Sequence, residues 1–345
     1  MTSEPRVGLR LAVVAIASTI VVSCSGGADS SRHPEVNLTG AGATFPYPLY
    51  RAWFSEYGAQ ANVRINYFSV GSAEGLRLLS QGDVDFGATD RPMRLTAGDA
   101  ACGRVAIPTV IGPIAVAYNL PRLGTEQSLQ VDARLLSNIY SGRVRRWNDE
   151  GIRKLNPGVL LPSMPIVVVH RANGSGTGRA FSSYLATSGS WGSAVGDTAD
   201  AKWPVGLAAE GNEGVATEVK VTVGAIGYME LAYARLNRLS IAAVRTPDRG
   251  YQLPGRESPD YPITARTLLV IDATHVSNER GSALVSFIRW ALRHGASQAQ
   301  AMEYTTLPPD TIAHYDSVLT ALQFGKGAVT GCAASGKAAT SGRGS

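Results

Sequence analysis

Charged side chains are sparse in this sequence and aromatic ones sparser, at 17% and 7% of 345 residues. The charge that exists is not gathered. No long run of Lys and Arg occurs and no aromatic–basic module is present, so a net charge of +5 and a pI near 9.1 do not make a nucleic-acid binder. A diffuse positive field suits a small anionic ligand instead. The 5 histidines, at positions 33, 170, 275, 294 and 314, are scattered without metal-site spacing. No Gly-Lys-Ser/Thr phosphate loop occurs. A nucleophile elbow needs Gly two residues before its serine, and Asn173 stands there instead, ahead of Gly174 and Ser175. A phosphatase would show a metal cluster or an activated nucleophile, and the sequence shows neither.

Glycine is plentiful, at 38 residues, beside a hydrophobic share of 44%. That is the composition of a loop-rich globular protein long enough for two domains. Near the start, Arg6 and Arg10 precede the apolar run LAVVAIASTIVV, which is too short to span a bilayer comfortably. The run ends in Val21-Val22-Ser23-Cys24, which closely resembles a bacterial lipobox, whose cysteine is lipidated and becomes the new N-terminus. The alternative is an ordinary export signal with an incidental cysteine. On the lipobox reading, residues 1–23 are a signal peptide, Cys24 carries the lipid and residues 24–35 are a flexible tether. One acyl chain anchors only marginally, so more than one is expected there. The protein is then exported and lipid-anchored to the outer face of the cell membrane.

Of 3 cysteines, lipidation of Cys24 leaves Cys102 and Cys332, an even number in an exported chain. Parity predicts a disulfide between them, with two unpaired thiols as the rival. Cys332 lies in the low-complexity stretch GKGAVTGCAASGKAATSGRGS.

From Val36 onward the pattern is α/β. VNLTGAGATF runs from a strand into a glycine turn, and PYPLYRAWFSEYG sets Leu49, Tyr50, Trp53, Phe54 and Tyr57 on one helical face, with Pro46 in its first turn. VRINYF alternates as a strand, a short helix starts at Ser72, and VDFGATD is a strand ending in Asp90. Two long extended stretches, RVAIPTVIGPIAVAYNL and YPITARTLLVID, bracket a self-sufficient set of elements. After the second, Leu284, Ile288, Ala291 and Leu292 share one helix face, as do Ile312, Tyr315, Leu319 and Leu322 on another. This predicts two lobes joined by two crossings, with a ligand cleft between them.

Three segments repeat one local design of small residues, a hydroxyl and a helix start: GAGATFP with Thr44, SVGSAEG with Ser72, and RANGSGTG with Ser175 and Thr177. Singly, each reads as a helix cap beside a tight turn. Together, and with Arg171 beside the third, they suit a small tetrahedral oxyanion bound by N–H groups, hydroxyls and a guanidinium. Asp90 is out of place in such a set, unless the ligand brings a proton. Phosphate at neutral pH carries one and sulfate does not, so a carboxylate acceptor favours phosphate and repels sulfate. An Asx turn at the strand end is the structural alternative for Asp90.

In order along the chain, TGAGATFPYPLY, VGSAEG, VDFGATDRPM, IPTVIG, LNPG, HRANGSGT, WPVG and GAIGYMELAYA resemble the substrate-binding proteins of bacterial phosphate ABC importers, the PstS family, from about Leu38 to Leu322. The resemblance implies an α/β, two-lobed periplasmic-binding-protein fold of type II, with two extended hinge crossings and the ligand in the interlobe cleft. Lobe I would comprise residues 36–110 and 264–326, lobe II residues 111–263, and residues 327–345 a low-complexity tail. By motif position the phosphate contacts would fall on Thr44, Phe45 (through its N–H), Ser72, Asp90, Arg171, Ser175, Gly176 and Thr177. One position departs: the family commonly has Asp two residues after the arginine, to orient it, and this chain has Asn173. The implied function is capture of inorganic phosphate by a monomeric receptor that hands it to membrane permease subunits driven by a cytoplasmic ATPase. No cofactor, metal, nucleic acid or catalysis is expected. The rivals are a secreted phosphatase or phosphotransferase on the same scaffold, and a sulfate or molybdate receptor.

Overall fold

A computed structural model describes residues 35–93, 95, 99, 102–120, 123, 128–172, 174–191, 202–255 and 257–325. The described chain begins with β1 (Val36–Gly42), α1 (Tyr47–Ala61), β2 (Val63–Phe68), α2 (Ser72–Gln81) and β3 (Phe86–Thr89). β1 pairs in parallel with both β2 and β3. α1 buries the five residues its periodicity predicts, Leu49, Tyr50, Trp53, Phe54 and Tyr57. Pro46 caps this helix, and Pro48 takes the first-turn position where a missing N–H costs nothing.

Two glycines set how closely α2 approaches the end of β1. A Cβ on Gly75 would lie 2.2 Å from the Gly42 Cα, and one on Gly42, at φ +143, would lie 2.0 Å from the Ala88 carbonyl oxygen. No side chain can be placed at either point without moving backbone. That close approach brings the C-terminal ends of β1 and β3 and the start of α2 together.

β4 (Arg104–Tyr118) is the first crossing. It is buried along almost all of its length, which explains its near-continuous apolar sequence. The chain then forms β5 (Gln130–Val131), α3 (Ala133–Tyr140), α4 (Glu150–Leu155), β6 (Val167–Arg171), α5 (Gly176–Ala186), β7 (Leu207–Ala209), α6 (Gly211–Val221), β8 (Ala225–Glu230) and α7 (Leu231–Leu236). The short strands β9 (Ser240–Ile241), β10 (Ala243–Arg245) and β11 (Tyr251–Gln252) lead to the second crossing, β12 (Thr264–Asp272). α8 (Asn278–Arg293), α9 (Ala296–Ala301), β13 (Thr305–Thr306) and α10 (Pro309–Ala321) complete the described chain.

The main sheet runs in the order β2-β1-β3-β12-β4-β8-β6-β7. The two crossings are antiparallel neighbours, from Thr264 opposite Pro113 to Asp272 opposite Arg104. Beyond that segment β4 continues alone, and its residues Ile114 to Tyr118 pair antiparallel with β8. One half of the sheet is therefore β2-β1-β3 and the other β8-β6-β7, joined through the crossings. Pro108 is tolerated inside β4 because the ladder shifts register there, between Thr267 and Leu268 on the partner strand.

α10 packs its predicted face on the core, but at a shallower depth than α1. Of the predicted face only Leu319 is buried, while Ile312, Tyr315 and Leu322 are half-buried. The helix is held at its edge by ion pairs from Asp316 to Arg289 and Arg293 of α8, which an apolar periodicity does not register. Cys102 is disulfide-bonded, whereas Cys24 and Cys332 lie outside the described residues.

Candidate functional site

The first-half wall of the site is the turn after β1, and three tyrosines hold it. The hydroxyls of Tyr67, Tyr233 and Tyr304 donate to the successive carbonyls of Ala43 (2.8 Å), Thr44 (2.7 Å) and Phe45 (3.1 Å). Once its carbonyls are tied down on one side, a turn presents its N–H groups on the other. Ser72 opens α2 behind Gly71, which adopts φ +92. The Ser72 Oγ accepts the Asp90 N–H at 3.1 Å, so its own proton is free to be donated.

Asp90 follows β3 and is not an Asx turn. Its Oδ1 accepts the hydroxyl of Thr267, on the crossing strand, at 2.7 Å. The residue is 7% exposed. Burial pushes its carboxyl up from 3.8 to about 7, against the Thr267 hydrogen bond and the Arg171 charge, which both lower it.

The second-half wall begins where β6 ends. Arg171 donates its backbone N–H to the Tyr228 hydroxyl at 3.1 Å, and Tyr228 is fixed by stacking on Phe181 at 4.2 Å. The Arg171 guanidinium reaches Thr44 across the cleft, Nη1 to Oγ1, at 3.4 Å. Its Nε is buried without a hydrogen-bond partner among the described residues. Burial pulls this guanidinium below its usual value, opposed by Tyr228, Asp90 and Glu213, yet an arginine keeps its charge in any protein. Asn173 lies outside the described residues, so the carboxyls that act on Arg171 here are Asp90 and Glu213.

Ser175 caps α5 by accepting the Gly178 N–H at 3.0 Å. Gly176 and Thr177 form the first turn, whose N–H groups have no partners within the helix. The halves meet here: a Cβ on Gly176 would lie 2.4 Å from the Asp90 Cβ. All the candidate residues, Thr44, Phe45, Ser72, Asp90, Arg171, Ser175, Gly176 and Thr177, are buried in this one place. A cavity of about 510 Å³ adjoins it at Asp90 and Gly176, bordered by Arg91, Arg179 and Arg266. Thr44, Ser72 and Arg171 are not among its lining residues, so it neighbours the site and is not the site itself.

The sequence reading missed several residues that support this wall. Asn212, in the first turn of α6, donates to the Thr44 Oγ1 from its N–H (3.1 Å) and from Nδ2 (2.7 Å). Its Oδ1 accepts the N–H of Glu230, a fully buried carboxyl that burial pushes up to about 8. Thr267, Tyr228 and the three tyrosines complete the set. The stretch EGNEG, with Gly211 at φ +68, was the available signal for Asn212.

His170, the histidine nearest the site, stacks on Trp203 at 5.6 Å and hydrogen bonds through Nδ1 to the Arg171 carbonyl. Ser175 thus has the Gly178 N–H on its Oγ, while the His170 ring is turned onto Trp203.

Fold and site define a class: a two-lobed α/β binding protein of the type II periplasmic kind, with the cleft between the halves of its sheet. Residues 27–292 match a PBP superfamily domain. The phosphate-binding protein PstS of Pasteurella multocida is 34% identical over 302 residues, covering 80% of this chain and 87% of its own. In structure, a putative phosphate ABC transporter substrate-binding protein of Clostridium perfringens with bound phosphate gives a TM-score of 0.60 at 19% identity, covering 79% of this chain and 100% of that one. A high-affinity periplasmic phosphate-binding protein, PfluDING, bound with phosphate gives 0.65 at 19% identity, covering 82% and 93%. The chain belongs to the PstS family of phosphate-binding proteins, within the PBP superfamily.

Proposed function

We propose that this protein binds inorganic phosphate outside the cytoplasmic membrane and delivers it to the permease of an ABC importer. The observation that carries this is the single acceptor among donors. Thr44, Ser72, Ser175 and Thr177 offer hydroxyls, Phe45 and the first turns of α2 and α5 offer N–H groups, and Arg171 offers a guanidinium. Asp90, its Oδ1 held by Thr267, leaves Oδ2 for a proton on the ligand. It acts as a binder and not an enzyme, since the Ser175 hydroxyl serves as a helix cap and His170 is turned onto Trp203.

The test is calorimetry with phosphate and sulfate on the parent and on Asp90→Asn. In the parent, phosphate binds by sharing its own proton with Asp90. Sulfate brings none, so it binds only when Asp90 takes one from water. The carboxyl of the closed form is raised to about 7, so that proton is present at lower pH and lost as pH rises through that value. Sulfate affinity of the parent should therefore fall with rising pH, by at most about tenfold per pH unit, while phosphate affinity changes modestly. In Asp90→Asn the amide donates to sulfate directly, the pH dependence disappears, and the phosphate-to-sulfate ratio drops by at least about tenfold. An unchanged ratio in a folded Asp90→Asn protein would remove Asp90 from the contact set and leave sulfate as an equal candidate.

Lipidation at Cys24 places the receptor on the membrane surface, beside its permease. Cys24→Ala is expected to release the protein from the membrane fraction or to stall its processing. Membrane association that still needs detergent in this variant would contradict the anchor. Pairing of Cys102 with Cys332 remains part of the same proposal.

A further inference from the structure

We propose that Asn212 is a positioning residue for phosphate binding, a latch that joins the halves at Thr44 and turns the Thr44 hydroxyl proton toward the ligand; the proposal rests on the phosphate reading above. Asn212 lies in the second half, at the start of α6, and Thr44 in the first, after β1. Both are buried, Asn212 completely.

The orientation of the Asn212 amide is decided by its neighbours. The Glu230 N–H can only donate, and it meets the Asn212 Oδ1 at 2.9 Å. The Nδ2 group must then face the cleft, where it reaches the Thr44 Oγ1 at 2.7 Å and the Thr177 Oγ1 at 3.4 Å. The Asn212 backbone N–H meets the same Thr44 oxygen at 3.1 Å. A hydroxyl oxygen has two lone pairs and one proton. With the two Asn212 donors on its lone pairs and the Arg171 Nη1 more distant at 3.4 Å, Thr44 keeps only its proton to give to a ligand. The latch therefore works only in the closed form and chiefly through the Thr44 hydroxyl, the Thr177 contact being the longer one.

A second line from Glu230 reaches the next residue of the turn. Its buried carboxyl receives the Ala232 N–H at 2.9 Å on each oxygen and is hydrogen-bonded to the Tyr304 hydroxyl, which donates to the Phe45 carbonyl. Thr44 and Phe45 are thus both secured from Glu230, one through Asn212 and the other through Tyr304. The sequence reading assigned neither Asn212 nor Glu230 a role.

Phosphate titrations of four proteins, the parent, Asn212→Ala, Thr44→Val and the double variant, form the test. Asn212→Ala should weaken phosphate binding by about tenfold in the parent. On the Thr44→Val background the same change should cost at least about threefold less, because its target hydroxyl is gone. A coupling smaller than threefold overturns the latch, whatever the single-variant affinities. A merely structural Asn212 would lower the melting temperature of the ligand-free protein and leave the two costs equal. Should Asn212→Ala fail to fold, Asn212→Asp carries the same cycle, since it keeps the acceptor for Glu230 and loses the Nδ2 donor to Thr44, while the repulsion of phosphate by its added charge is common to both backgrounds and cancels. A parent that binds no phosphate refutes the functional reading and the latch with it, whereas a parent that binds, with an additive cycle, refutes the latch alone.

Discussion

Arg171→Met should weaken phosphate binding by at least a hundredfold and, at the same time, leave the ligand-free protein as stable as the parent or more so. Arg171 is 6% exposed, its Nε has no partner among the described residues, and no carboxylate forms an ion pair with it there. Holding such a charge out of water costs several kcal/mol, by order of magnitude, and the ligand is what offsets it. Truncating one member of a buried, hydrogen-bonded charge pair typically costs about 2–5 kcal/mol of binding, and each 1.4 kcal/mol or so is a factor of ten. Without a ligand that term reverses, because methionine fills similar space and needs no solvation. Melting curves with and without phosphate separate the two effects: the ligand-induced rise should vanish while the ligand-free midpoint holds or climbs. A variant that binds within tenfold of the parent would show that Arg171 does not carry the anion's charge.

Gly176→Ala should be nearly as severe, by a different route. The added Cβ would stand 2.4 Å from the Asp90 Cβ and 2.7 Å from its carbonyl carbon, where contacting carbons need about 3.5–4 Å. Gly176 does not occupy the left-handed region, so alanine suits the local helix and each half folds as before. Only the approach of the halves is denied. Several hydrogen bonds to the ligand, each worth about 1 kcal/mol and more when charged, then lose their geometry together. Affinity should fall on the order of a hundredfold, and scattering should show a protein that no longer contracts on adding phosphate. Contraction with undiminished affinity would mean that Asp90 can yield. Gly75→Ala provides the contrast, because its clash with Gly42 lies within one half and should lower stability whether or not phosphate is present.

The residues proposed to face the ligand could be picked out in sequence because each belongs to a local pattern. Thr44, Ser72, Ser175 and Thr177 stand where a glycine-rich turn meets a helix, and Arg171 and Asp90 stand at strand ends. The residues that hold them were not legible, because their partners are far away in the chain. Tyr233 and Tyr304 reach Thr44 and Phe45 across 189 and 259 positions, and Thr267 reaches Asp90 across 177. A tyrosine in such a place looks like any core aromatic. Asn212 was missed for a related reason: its role depends on which half it faces, and helix periodicity says nothing about that. The fold was more accessible. α1, β2 and α8 follow their hydrophobic periods, and the crossings announce themselves as long apolar stretches. α10 keeps its predicted face too, packed at the edge of the core, where ion pairs from Asp316 to Arg289 and Arg293 add to the apolar contact.

The meeting of Gly176 with Asp90 also governs time. On the phosphate reading proposed above, a ligand surrounded by buried groups on both walls would escape only as the protein opens. Its dissociation rate constant is then an opening rate, set by the crossings β4 and β12 and by whatever spans the cleft. Two anions of unequal affinity can share the same residence time if both leave only through that event. Release would then be fastest not by dilution but by whatever draws the two halves apart.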